Sequence, residues 1–318
     1  DYMSVTYEIP ENFPIQPLLA PLVQAEDALA RLDERARSLP FRDGWAQRLL
    51  YGEACACELA QGNLVHLEDL VLLDAGAPVR MVSPEDSAAM HTLKLWRRGL
   101  RGDADKLLKA PRPSEEAEAL SKPEDAPEHF YEADRHDAER LEAWRRVLWQ
   151  SRSQPPLLAA AFVWDAWLQL EPEERGVWRA PLLAALLLKA RSKTRQFLLP
   201  LDIGEKFSVQ GLYPQQDQAA RIAVFLDWAI TAAEHSAKEL DTLALAEQLL
   251  QARLKGRRKS SRLPQLVDLL LEKPVISVPM AAKILKVSNQ AVDAMLKELG
   301  SIPRELSGRG RYRVWGIV

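Results

Sequence analysis

Apolar residues recur at helical spacing along most of this chain. Leu22, Ala25, Leu29 and Leu32 lie three or four apart and predict a helix over Leu18 to Leu39, after an extended lead-in from Pro10 to Pro21. Phe41 to Leu73 reads as two more helices, with Gly62-Asn63 as the break. Ser83 and Pro84 open a helix over Glu85 to Leu100, where His91 and Trp96 read as packing residues. The pattern returns from His136 to Gln150 with Leu141, Trp144, Val147 and Leu148. Pro155-Pro156 then opens an apolar helix over Leu157 to Leu170. A polar loop, Glu171 to Gly176, separates it from a second apolar helix, Pro181 to Ala190, whose leucines face a core on most sides. Asp217 to Glu234 and Leu240 to Leu254 predict two further helices. No segment before residue 300 reads as a strand. The expected fold class is mainly α: a helical bundle followed by a small C-terminal winged helix-turn-helix with a β-hairpin.

The C-terminal pattern is the most specific. Leu254 to Arg262 (LKGRRKSSR) is a basic hinge. Leu263 to Glu272 is a helix with Leu266, Leu269 and Leu270 inward, stopped by Pro274. After a short extended piece at Ile276-Ser277, Ser277 caps a second helix whose expected inward residues are Met280, Ala281 and Ile284. Lys286-Val287-Ser288 makes a tight turn, and Ser288 caps a third helix, Asn289 to Leu299, with Ala291, Val292, Met295 and Leu296 inward. That spacing turns Asn289, Gln290, Asp293 and Lys297 outward. Such a capped third helix can present its first side chains to a major groove, where Asn and Gln pair bidentately with adenine. Glu305 to Trp315 alternates on both sides of Ser307-Gly308-Arg309-Gly310, a hairpin signal. Its Arg309, Arg311, Tyr312 and Arg313 suit a wing that grips phosphate or enters the minor groove.

Charge agrees with this placement. The chain of 318 residues carries a net −3, but Ala252 to Val318 holds 14 Lys+Arg against 5 Asp+Glu, a net of +9, leaving −12 for the rest. A basic end on an acidic body points to nucleic acid at that end. Residues 101–128 are rich in Pro, Glu, Ala and Lys with few large apolar side chains, so they read as a flexible insertion. The expected division is a helical core over 1–100 and 129–254, that insertion, and the DNA-binding domain over 255–318. No apolar run is long enough for a membrane span, and the first residues show no signal peptide, so a cytoplasmic location is expected. Cys55 and Cys57 point to different helix faces and read as core thiols, and the five scattered histidines suggest no metal site.

Glu171-Pro172-Glu173-Glu174-Arg175-Gly176-Val177-Trp178-Arg179 stands between the two apolar helices. In place and in part in sequence it resembles the His-Pro-Phe-x-x-Gly-Asn-Gly-Arg signature of bacterial Fic-domain proteins, some of which carry a C-terminal winged helix. Pro172, Gly176 and Arg179 match. Glu171 stands where the family has its catalytic His, and Val177-Trp178 replace Asn-Gly. Upstream, Glu53 to Gly62 resembles the family's inhibitory helix, with Gln61 at the position of its inhibitory Glu. The resemblance implies a core built for AMP transfer from ATP to protein hydroxyls, here with both base and inhibitor replaced. The chain is also similar to a smaller bacterial family with a helical N-terminal domain and a C-terminal helix-turn-helix.

Chemistry at these positions argues the same way. A glutamate in place of His would repel a triphosphate. Trp178 adds bulk where phosphate should approach backbone. Glu171, Glu173 and Glu174 also read as ordinary acids at the positive end of a helix, and Arg175 and Arg179 as helix-end arginines. Trp144, Trp149, Trp164, Trp167 and Trp178 lie at spacings that suit a core. No nucleotide-binding loop, paired-histidine or nucleophile-elbow motif is present. The expected function is a DNA-binding transcriptional regulator, not an enzyme, whose helical scaffold serves dimerisation or sensing, with no cofactor and with double-stranded DNA, and a second copy of the chain where the scaffold dimerises, as partners. The alternatives are a divergent nucleotidyl transferase using Glu171 with Arg175 and Arg179, and a protein-interaction module.

Overall fold

The computed structural model describes residues 6–76, 82–109, 128–173, 176–255, 261–306 and 313–317. In chain order the helices are α1 (Leu19–Arg37), α2 (Arg42–Ala60), α3 (Leu67–Asp74), α4 (Pro84–Arg98), α5 (Ala104–Lys109), α6 (Glu128–Gln150), α7 (Pro156–Leu170), α8 (Ala180–Ala190), α9 (Leu201–Phe207), α10 (Gln218–Leu254), α11 (Leu263–Glu272), α12 (Val278–Leu285) and α13 (Asn289–Leu299). Three short strands, β1 (Val275–Ser277), β2 (Arg304–Glu305) and β3 (Val314–Gly316), complete the set. The molecule is mainly helical, as its periodicity predicts.

Several expectations change. The helices expected at 217–234 and 240–254 are one helix, α10. Its middle, His235 to Glu239, has no Gly or Pro to break it, and Ser236 and Leu240 are buried there. The expected insertion over 101–128 is helical at its start: a wide turn, Gly99–Asp103, leads into α5, where Ala104 and Leu108 are buried. The rest of that expectation, 110–127, lies outside the described residues. Finally, Val275–Ser277 is a strand, so the sheet has three strands rather than a lone hairpin.

The chain divides into two compact units that are discontinuous in sequence: residues 1–33 with 98–233, and 34–97 with 234–318. The boundary expected at 254/255 falls inside the second.

In the first unit α7 and α8 are apolar almost all round and buried accordingly. Pro156 and Pro181 suit the first turns of these helices, where an amide has no intrahelical partner. Trp144 donates its indole N–H to the Val163 carbonyl at 3.0 Å and meets Trp167 edge to face at 5.2 Å. Trp164 packs on Phe225 and Trp228. Trp149 departs from the core reading and is 66% exposed. Asp165 is fully buried and held by Arg221 (2.5 and 3.0 Å) and by the Tyr7 hydroxyl (2.8 Å). A buried carboxylate is tolerated because a two-pronged guanidinium and a hydroxyl replace its water. Burial and the adjacent Asp165 push the Tyr7 phenol far above its ordinary value, so it stays a donor.

In the second unit Arg97 of α4 makes a paired contact with Asp74 of α3 (2.7 and 2.6 Å), and Tyr51 of α2 donates to the same carboxylate at 2.6 Å. Cys57 is buried and Cys55 half-buried. Arg48 of α2 donates to the carbonyls of Leu270 (2.8 Å), Leu271 (3.0 Å) and Lys273 (3.0 Å) at the end of α11. A cation at a helix C-terminus meets both orphan carbonyls and the negative end of the dipole. Burial pulls the Arg48 pKa down to about 10, still charged at neutral pH. Gly44, one turn earlier, allows this approach: a Cβ there would sit 1.9 Å from the Leu271 carbonyl oxygen.

Candidate nucleic-acid interface

The C-terminal module is built from α11 to α13 and the three strands. Leu263, Leu266, Val267, Leu269, Leu270 and Leu271 of α11 are buried. The Ser277 hydroxyl accepts the Met280 amide at 3.3 Å and starts α12. Lys286 ends α12 in the left-handed conformation (φ 56°), and the chain turns sharply. The Ser288 hydroxyl then accepts the Ala291 amide at 3.2 Å and starts α13. Both expected caps are in place, and both helix bounds follow from them.

The buried stripe of α12 is Val278, Ala281, Ala282 and Leu285. This corrects the expected set: Met280 is half-buried and Ile284 is 48% exposed. The helix is apolar nearly all round, and the stripe that repeats over seven residues, 278–281–282–285, is the one its neighbours cover. On α13 the buried residues are Val292, Leu296 and Leu299, while Ala291 and Met295 are half-buried.

The sheet order is β1–β3–β2, all antiparallel. Val275, Ile276 and Ser277 pair with Gly316, Trp315 and Val314, and Arg304 and Glu305 pair with Gly316 and Trp315. The Leu306 amide also donates to the Val314 carbonyl at 2.8 Å. The expected hairpin is therefore present as β2 and β3. A helix-turn-helix followed by a strand pair is the winged arrangement.

Of the expected interface residues, Lys286, Ser288, Asn289, Gln290 and Lys297 are exposed on the turn and α13. The exposed Lys283 and Arg304 add two cations that sequence reasoning did not select. Asp293 is half-buried and faces Arg313 rather than standing clear. Arg309, Arg311 and Tyr312 lie outside the described residues.

The expected motif residues in the helical part fall into the two units. Glu171 caps α7 in the left-handed conformation (φ 43°) and is exposed, while Pro172 is buried. The Trp167 indole donates to the Gly176 carbonyl at 2.7 Å, closing the loop on α7. Arg179 forms an ion pair with Glu173 (3.1 Å) and lies against the Trp178 ring. Arg175 lies outside the described residues. Gln61, in the other unit, ends α2 and donates to the Cys57 carbonyl. Among the described residues no group of three or more His, Cys, Asp or Glu side chains is placed to hold a metal ion. Among them no helix is long and apolar enough to cross a membrane.

Comparison with known proteins matches two segments of the chain. Residues 130–255 match the family described as "Protein of unknown function (DUF1612)". Residues 263–318 match an "HTH DNA binding domain", whose start is the first residue of α11. The chain is similar to "Uncharacterized protein y4cF" of Sinorhizobium fredii, at 30% identity over 370 residues, covering 95% of this chain and 97% of that protein. At that identity and coverage the chain belongs to the same family as y4cF, and it carries a DUF1612 region followed by a helix-turn-helix DNA-binding domain.

Proposed function

We propose that this protein is a sequence-reading transcriptional regulator of double-stranded DNA, with its helical part serving as a non-enzymatic scaffold. The observation that carries the reading is the Ser288-capped α13, with Asn289 and Gln290 exposed at its first turn between Lys286 and Lys297. Amide side chains there suit adenine, and lysines on either side suit phosphate. Selection from a random duplex pool by the full chain tests it. The expected result is an enriched motif, with Asn289→Ala or Gln290→Ala relaxing preference at one base pair by about 1–3 kcal/mol. Failure to enrich any sequence would sink the reading.

The scaffold joins two half-sites by dimerisation. The motif should then be palindromic, with half-sites about one helical turn apart. Sedimentation should give a dimer; a monomer with and without DNA would remove this part.

The scaffold is a Fic-like core that has lost its chemistry. In support, Glu171 occupies the family's histidine position as an exposed helix cap, and the one motif arginine described is already paired with Glu173. Incubation with labelled ATP and candidate proteins should give no transfer. Transfer abolished by Glu171→Ala would overturn this. A cytoplasmic location is part of the same reading.

A further inference from the structure

Arg313 enters β3, and its guanidinium reaches two carboxylates on different elements. Nε lies 3.0 Å from Glu305 Oε2 on β2, and Nη1 lies 3.5 Å from Asp293 Oδ1 on α13. The group also covers the Trp315 ring at 5.2 Å to its centroid. Trp315 is in turn the cross-strand partner of Glu305. One cation thus touches both wing strands and the middle of the recognition helix. Only a fork of fixed donors that can also stack makes all of these contacts at once.

The charge of the trio decides its role. With two carboxylates already on it, the Arg313 guanidinium has less charge to offer a phosphate. The exposed Lys283, Lys286, Lys297 and Arg304 have no carboxylate partner among the described residues. They are exposed cations of the module suited to the DNA backbone.

We propose that Arg313, read from sequence as a phosphate-gripping wing residue, is instead a positioning residue. Through Asp293 and Glu305 it sets the angle between the wing and α13, and so the approach of Asn289 and Gln290 to base edges. The inference rests on the DNA reading above and refines which residues of that site carry charge and which carry geometry.

The test uses the full chain and two labelled duplexes, the one enriched by selection and a mixed-sequence control, across a salt series. Arg313→Gln, Arg313→Lys and Asp293→Asn should each cut the affinity ratio between the duplexes tenfold or more. Their salt slope on the control should stay that of the wild type. Lys297→Ala, a phosphate-contact reference, should lower the slope by about 0.9. Asp293→Asn is the sharpest arm, because it removes a negative charge and yet should weaken recognition. Two results would overturn the proposal: a slope lowered by about 0.9 in Arg313→Gln and restored in Arg313→Lys, or tighter selective binding by Asp293→Asn. Amide exchange of the DNA-free protein separates the two readings. In all three variants residues 304–306, 314–316 and the first turn of α13 should exchange faster than in the wild type. If the wild type binds no DNA, the DNA reading fails and exchange alone decides the brace; unchanged exchange would end it.

Discussion

Arg48 shows how much one side chain can do in this fold. It collects three carbonyls at the end of α11 and is half-buried. Arg48→Met fills the space but leaves those acceptors without their donor. A loss of roughly 3 kcal/mol is expected, since hydrogen bonds from charged groups contribute about 1.5–3 kcal/mol each and some carbonyls regain water. Arg48→Lys should recover less than half, because an ammonium cannot span the same fan of acceptors. Urea unfolding of the full chain measures both. Asp74 gives the pH counterpart. Burial alone would raise its carboxyl, but hydrogen bonds from Arg97 and Tyr51 outweigh burial and hold it below the ordinary range. A carboxylate depressed in the folded state stabilises above its unfolded pKa of about 4 and loses that contribution as pH falls through its folded value. The gap in melting temperature between wild type and Asp74→Asn should therefore be largest near neutral pH and shrink below about pH 4. A gap that stays constant into acid would show that the carboxylate charge is not what the cluster uses.

At the scale of elements, the turn between α12 and α13 is where local chemistry decides most. Ser277 and Ser288 both accept an amide three residues on. Ser277→Ala and Ser288→Ala should each cost about 1 kcal/mol in unfolding experiments. They should differ in binding. Only Ser288 fixes the turn that carries Asn289 and Gln290, so its loss should weaken DNA binding several-fold at temperatures where both variants are folded. Equal binding by the two variants would mean that the first turn of α13 does not read DNA. These caps also explain why this module was legible from sequence. Ser, Pro and glycine signals act within a few residues, and α11, α12 and α13 begin and end where those signals stand. The same local reading placed the apolar pair α7 and α8. It failed where the deciding partner is distant. Ile284 looked inward because its neighbours are apolar, but coverage by other elements selected Val278 and Leu285 instead. Asp293 looked free until Arg313, twenty residues on, was folded beside it. Nothing local marked Arg48 as the cap of a helix more than two hundred residues away, and the short α9, made possible by Gly204 lying against the Trp228 carbonyl, gave no periodic signal.

For the whole molecule, net charge alone points the wrong way. A protein of −3 with a sequence pI near 6.1 should be repelled by DNA at neutral pH. What matters is where the charge lies, because fields beyond about 8 Å are screened at physiological salt. The last 67 residues carry +9 while the rest carries −12. Lys283, Lys286, Lys297 and Arg304 are exposed within that basic end. Four phosphate contacts release counterions with a slope of about −0.9 each, giving about −3.6 in log affinity against log salt. Between about 50 and 200 mM salt, affinity for a mixed-sequence duplex should therefore fall about 150-fold. Arg309 and Arg311 would steepen this if they also meet phosphate. The opposite case has an opposite sign. Were DNA to meet the acidic remainder, salt would screen repulsion and binding would strengthen as salt rises. A slope near zero would instead indicate that these cations do not meet phosphate. Anisotropy titrations of the full chain at four or five salt concentrations separate these three outcomes by the sign and size of a single slope.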